Sequence, residues 1–178
     1  MTAQLTVLDP TEAGAPSQRP ELVDLPTGLS GVRFGLLDNG KPNSDRFLGL
    51  LAERFRAYGA VPYGSRRKPS IGRLAPRHLV EELAAACDLV VTGVGDCAGC
   101  CSCSVQDGIA VERHGVPTVV VATTEFLTTA RISATAAGVP DYPFTVIEHP
   151  LGSASLAQLG EQADRAMDQI LTRMGGSA

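Results

Sequence analysis

The chain has 178 residues, with 15 Lys and Arg against 19 Asp and Glu and a net charge of −4. An acidic balance without a basic block argues against nucleic acid and anionic membrane as main partners, and no run approaches the roughly 18 apolar residues of a membrane span. Hydrophobic residues make up 44 % of the chain, aromatic residues 4 %, and Trp is absent, so one compact domain with a core of Leu, Val, Ile and Ala is expected. The opening residues lack a basic segment followed by an apolar stretch, so no secretory signal is read and a cytoplasmic location is expected. In that setting clustered cysteines point to catalysis or metal binding rather than to structural staples.

Residues 1–30 contain Pro10, Pro16, Pro20 and Pro26, with Gly14 and Gly28, and few periodic apolar positions. They read as an N-terminal extension or arm. Leu5-Thr6-Val7 and Leu22-Val23 are its candidates for a short edge strand or a contact with a partner subunit. Organised structure, over residues 31–174, begins with a first strand at Val32-Arg33-Phe34-Gly35-Leu36-Leu37. Its loop is Asp38-Asn39-Gly40-Lys41-Pro42-Asn43, and Asn43 or Ser44 is the expected cap of the next helix. In that helix Phe47, Leu50, Leu51, Phe55 and Tyr58 fall at helical spacing, and Gly59 stops it.

Ala60-Val61-Pro62-Tyr63 is a weak second strand, demoted by its proline. Ser65-Arg66-Arg67-Lys68-Pro69 reads as a solvated basic loop, with recognition of an anionic group as the sharper alternative. A helix from about Pro76 carries Leu79, Val80, Leu83, Ala84 and Cys87 on one face, which assigns Cys87 to the core. Asp88-Leu89-Val90-Val91-Thr92 is the third strand.

Next comes Gly93-Val94-Gly95-Asp96-Cys97-Ala98-Gly99-Cys100-Cys101-Ser102-Cys103-Ser104. Four of the five cysteines fall inside seven residues, as two overlapping Cys-x-x-Cys pairs. A buried cysteine can serve as a small hydrophobe, but these positions do not follow a helix or strand period. The stretch therefore reads as a reactive loop. Ser104-Val105-Gln106-Asp107 has the form of a capping box, so the following helix is expected to start near Ser104 and to end at Arg113-His114-Gly115.

Pro117-Thr118-Val119-Val120-Val121-Ala122 is a fourth strand, apolar throughout as a strand buried on both faces should be, and Thr123-Thr124 closes it. A helix is expected from about Glu125 to Gly138. Phe144-Thr145-Val146-Ile147 is the fifth strand, ending at Glu148-His149-Pro150-Leu151-Gly152. Ser155 and Gln158 form a second capping box, opening a last helix with Leu159, Ala163, Ala166, Met167, Ile170 and Met174 on its core stripe.

Strands alternating with helices imply a single three-layer α/β domain, with a mostly parallel, flavodoxin- or Rossmann-like sheet of about five strands and helices on both faces. Ligands of such sheets sit outside the carboxyl ends of the strands. In the order 2-1-3-4-5 this rule gathers Asp38, Asn39, Lys41 and Asn43 after strand one, Asp96 to Ser104 after strand three, Thr123 after strand four and His149 after strand five. A helix start beyond Cys100, Cys101 and Cys103 would stabilise a thiolate. Lys41 would add positive charge, and His149 would move a proton. The usable disulfide pairs are Cys97–Cys100 and Cys100–Cys103, one thiol attacking and the other resolving.

The segments Asp38 to Arg46, Gly93 to Cys100 and His149-Pro150-Leu151-Gly152 together resemble the UGSC family, whose name denotes a selenocysteine- or cysteine-Gly-Ser-Cys motif. The resemblance spans roughly residues 30–152. It implies a redox or nucleophilic chalcogen at Cys97, the position some relatives fill with selenocysteine, and makes Cys100 the closing Cys of the motif. The family is also similar to selenoprotein subunits of glycine and betaine reductases, which cleave activated C–N bonds. Here Ala98-Gly99 replaces Gly-Ser, and Cys101 and Cys103 are additional thiols.

The leading expectation is a thiol-dependent enzyme, reductase- or lyase-like, acting on a small electrophilic substrate. Cys97 attacks, and Cys100, Cys101 or Cys103 resolves the adduct. Lys41, Asn43 and loop N–H groups bind an anionic or carbonyl group, with Asp38, Asn39, Asp96 and Thr123 alongside. An external thiol or protein reductant would regenerate the site, and a homo-oligomer is expected. The alternative is a thiolate-bound Cu(I), Zn or Fe–S centre on Cys97, Cys100 and Cys103. A third reading, a nucleotide loop at Gly93-x-Gly95-x-x-x-Gly99, is weaker because it follows the third strand instead of the first.

Overall fold

Five short apolar runs alternate with amphipathic segments, and each run becomes a strand. In the computed structural model, which describes residues 21–175, the elements are β1 (Arg33–Asp38), α1 (Ser44–Ala57), β2 (Val61–Arg67), α2 (Arg77–Ala86), β3 (Leu89–Gly95), α3 (Ala98–Glu112), β4 (Thr118–Thr123), α4 (Leu127–Ala136), β5 (Thr145–Ile147) and α5 (Leu156–Arg173). A 3₁₀ turn at Thr124–Phe126 precedes α4. The strands form one sheet in the order β2-β1-β3-β4-β5, with every neighbouring pair parallel.

Side-chain alternation along the strands sorts the helices onto two faces. Phe34, Leu36, Leu89, Val91, Val119, Val121 and Ile147 point to the face covered by α1 and α5. Leu37, Val90, Val120 and Ala122 point to the face covered by α2, α3 and α4. On the first face the Phe34 and Phe55 rings meet edge to face at 5.0 Å, and Arg54 joins α1 to α5 through Asp164 at 2.8 Å and the Gly160 carbonyl at 3.1 Å. On the second face α3 lies close against the strands. A Cβ on Gly108 would come within 2.4 Å of Val120 Cγ2, and one on Gly95 within 2.8 Å of Cys101 Sγ.

Several boundaries differ from the sequence reading. β2 continues through the residues read as a basic loop, so Ser65, Arg66 and Arg67 are strand residues. Pro62 is tolerated because β2 is the sheet edge, where one row of N–H groups has no strand to serve. Lys68 is not a surface residue: it is buried and pairs with Asp107 at 2.5 Å. The largest correction concerns α3, which begins at Ala98 and not near Ser104. Ser104 and Asp107 form no capping box. The Ser104 hydroxyl accepts from Asn39 Nδ2, and Asp107 accepts from Lys68 and the Ala75 N–H. At the other end of the chain, the capping box of Ser155 and Gln158 is present.

Cys87 is buried as expected. Leu22-Val23 forms no strand, although the Val23 N–H donates to the Glu112 carboxylate at 3.1 Å. Leu5-Thr6-Val7 lies outside the described residues. No helix among the described residues is long and apolar enough to cross a membrane.

Two glycine substitutions test this packing with opposite signs. Gly108→Ala pushes a methyl into buried Val120 and is expected to lower stability by about 1–3 kcal/mol. Gly49→Ala, on the exposed side of α1 with open space around it, is expected to raise stability by about 0.5–1 kcal/mol through helix propensity. Urea unfolding midpoints measure both.

Candidate functional site

The carboxyl ends of β1, β3, β4 and β5 supply the polar residues, and most of these bind one another. Asp38 is buried. Its carboxylate accepts from the Gly40 N–H at 2.8 Å and from the Ser44 hydroxyl, and it faces Arg67 Nε at 3.7 Å. Asn39 is fully buried. Its Nδ2 donates to the Val94 carbonyl at 2.8 Å and to Ser104 Oγ at 3.1 Å, while Oδ1 accepts from the Lys41 N–H at 3.1 Å. Asn43 takes a left-handed backbone (φ 66°) at the start of α1 and makes no side-chain cap there. Its Nδ2 instead reaches the carbonyls of Leu151, Gly152 and Ala154 at 3.0, 3.3 and 3.0 Å. Asn39 therefore ties the loop after β1 to β3 and α3, and Asn43 ties it to the loop after β5, while Asp38 braces the loop itself against β2. Within that loop, Lys41 is the cation directed at the site.

Asp96 is the point where the loops meet. Its side chain is 3 % exposed and lies 3.6 Å from Lys41 Nζ and 2.8 Å from His149 Nδ1. The Leu151 N–H donates to Oδ1 at 3.1 Å and the Gly152 N–H to Oδ2 at 3.4 Å. Lys41 Nζ also donates to the Asp96 carbonyl at 3.3 Å, one peptide unit from Cys97. Thr123 Oγ1 donates to the Gly95 carbonyl at 3.1 Å and lies 3.3 Å from His149 Nδ1. The His149 ring also faces Phe126, with centroids 5.5 Å apart.

The helix start sorts the cysteines. Cys97 is the N-cap of α3, and its sulfur accepts the Cys100 N–H at 3.3 Å. Cys97 and Cys100 are paired through their sulfurs with Cα atoms 5.4 Å apart, within the span that a disulfide bridges. Cys97 is half-buried and Cys100 fully buried. Cys101 turns the other way, into the packing beneath α4, with its sulfur 3.4 Å from the Phe126 carbonyl. Cys103 is a half-buried free thiol one turn beyond Cys100. Among the described residues no three His, Cys, Asp or Glu side chains are gathered to hold a metal ion.

The structure thus brings Lys41, Asp96, Cys97, Cys100, Thr123 and His149 to one edge, on a frame made by Asp38, Asn39 and Asn43. It directs Cys101 away from the pair. The site also draws on Phe126 and on the backbone amides of Leu151 and Gly152, which the sequence does not single out. Only the last had a local signal, the Pro-Leu-Gly turn after His149.

A family model described as the UGSC family matches residues 6–176, and the chain belongs to that family. No curated protein and no solved structure matches the chain.

Burial pushes the thiols of Cys87 and Cys101 up from 9.0 to about 11, and holds the Tyr142 hydroxyl well above its ordinary range. The folded protein keeps these protons where the unfolded chain has begun to lose them. The stability they contribute is therefore complete below pH 9 and falls as pH rises toward about 11. Urea midpoints measured across that window are expected to decline, and less steeply in Cys87→Ala.

Proposed function

We propose that this member of the UGSC family is a thiol-dependent reductase of a small electrophilic substrate, with Cys97 as the attacking sulfur and Cys100 as the resolving one. The observation that carries the reading is the placement of the pair at the first turn of α3, one sulfur half-buried and the other sealed. An attacking sulfur must be reachable from solvent, whereas a resolving sulfur need reach only its partner. The Cys100 N–H aimed at Cys97 Sγ and the positive end of the helix stabilise negative charge on that sulfur. Lys41, bound to the Asp96 carbonyl, brings a cation to within one peptide unit of Cys97.

The Cys97 thiolate attacks a substrate R–X, forming the Cys97–R bond as X leaves and takes a proton from His149. The Cys100 thiolate then attacks the Cys97 sulfur. The S–S bond forms, and R leaves with its bonding electrons and takes a proton to give R–H. The substrate gains two electrons, and the pair is oxidised to the disulfide. An external thiol or a protein dithiol returns the two electrons and two protons.

Brief treatment of the reduced protein with iodoacetamide at mildly acidic pH tests this reading. Cys97 is expected to be modified about tenfold or more faster than Cys103, because thiolate content controls the rate, with Cys87 and Cys101 unmodified. Equal, slow labelling of all five thiols would overturn it. Cys100→Ser is expected to retain a stable adduct on Cys97, and Cys97→Ser to form none.

A further inference from the structure

We infer that Asp96 is a positioning residue: it holds His149 with its ring proton on Nδ1 and leaves Nε2 as the nitrogen that exchanges protons in the crevice. The inference deepens the thiol reading and rests on it for the role of His149.

Nδ1 lies 2.8 Å from Asp96 Oδ1 and 3.3 Å from Thr123 Oγ1. A carboxylate only accepts, so the first contact needs a proton on Nδ1. The single hydroxyl proton of Thr123 goes to the Gly95 carbonyl, so the threonine oxygen also meets Nδ1 as an acceptor. Both neighbours therefore demand the same tautomer. The neutral ring then has its lone pair on Nε2.

Asp96 is suited to this because its own place is over-determined. Lys41, the Leu151 N–H and the Gly152 N–H all direct positive charge at its two oxygens. Those contacts fix the carboxylate, and the carboxylate fixes the ring. They also engage both oxygens, and Asp96 acts through His149, so it is a positioning residue and not a catalytic one.

Long-range proton–nitrogen NMR of the reduced full chain, labelled at histidine, reads the tautomer directly. Neutral His149 is expected to carry its proton on Nδ1 by at least about tenfold over Nε2, a ratio that a hydrogen bond to a charged acceptor sustains. Asp96→Asn removes the charged acceptor that holds the Nδ1 proton, so the preference is expected to fall to near parity or reverse. A merely structural role for Asp96 would leave the tautomer unmoved. An Nε2–H tautomer in the unmodified protein, or an unchanged Nδ1–H preference in folded Asp96→Asn, overturns the inference. The measurement on the unmodified protein decides the matter if the variant does not fold. Alkylation of Cys97 in the same samples keeps the two readings separate. An unreactive Cys97 beside an Nδ1–H His149 defeats the thiol reading alone, whereas a reactive Cys97 beside an Nε2–H His149 defeats this inference alone.

Discussion

A buried negative charge must be met by donors or cations, or the fold is destabilised by several kcal/mol. At the carboxyl edge of this sheet that requirement falls on Asp96, and meeting it organises the site. Lys41 arrives from the loop after β1, and His149 with the Leu151 and Gly152 amides from the loop after β5. Asp96 itself closes β3, one residue before Cys97. Three loops distant in sequence are thus held at one point, next to the sulfur pair. Asn39 and Asn43 apply the same constraint with amide groups. Each uses its hydrogen bonds to tie one loop to the next.

Against this fixed frame, α3 gives each cysteine a different environment. Gly95 and Gly108 let the helix lie close to β3 and β4. The Lys68–Asp107 pair and the Asn39–Ser104 bond fix its rotation. With the rotation fixed, Cys97 caps the helix, Cys100 faces inward, Cys101 enters the core beneath α4 and Cys103 lies near the surface. Clustered thiols that look equivalent along the chain are therefore chemically distinct. Burial holds the Cys101 thiol protonated, while Cys97 caps the helix and its sulfur accepts the Cys100 N–H.

The layered fold and its strand order were legible because the apolar runs and helical stripes alternate cleanly. The convergence of Lys41, Asp96, Thr123 and His149 then followed from the rule that places ligands at the carboxyl edge of a parallel sheet. The start of α3 was not legible. Its cap is a thiol, outside the usual Ser, Thr, Asp and Asn set, and Ser104 with Asp107 imitates a capping box while serving partners far away in sequence. Nor could the sequence separate framing residues from working ones. Asp38, Asn39 and Asn43 are polar residues at a strand end whether they face a ligand or a neighbouring loop, and only their partners in space decide. The burial of Lys68 is hidden from the sequence for a related reason. Its partner Asp107 lies 39 residues away, beyond any local pattern.

For a thiol mechanism Cys97 and Cys100 must form a working dithiol. Equilibrating the full chain in thiol–disulfide buffers of graded potential, then trapping and mapping every cysteine by mass, measures this directly. The predicted result is one reversible two-electron couple confined to Cys97 and Cys100, lost in Cys97→Ser and in Cys100→Ser, with Cys87 and Cys101 reduced throughout. The contradicting result is a pair that never exchanges with the buffer, or a couple in which Cys97 takes no part.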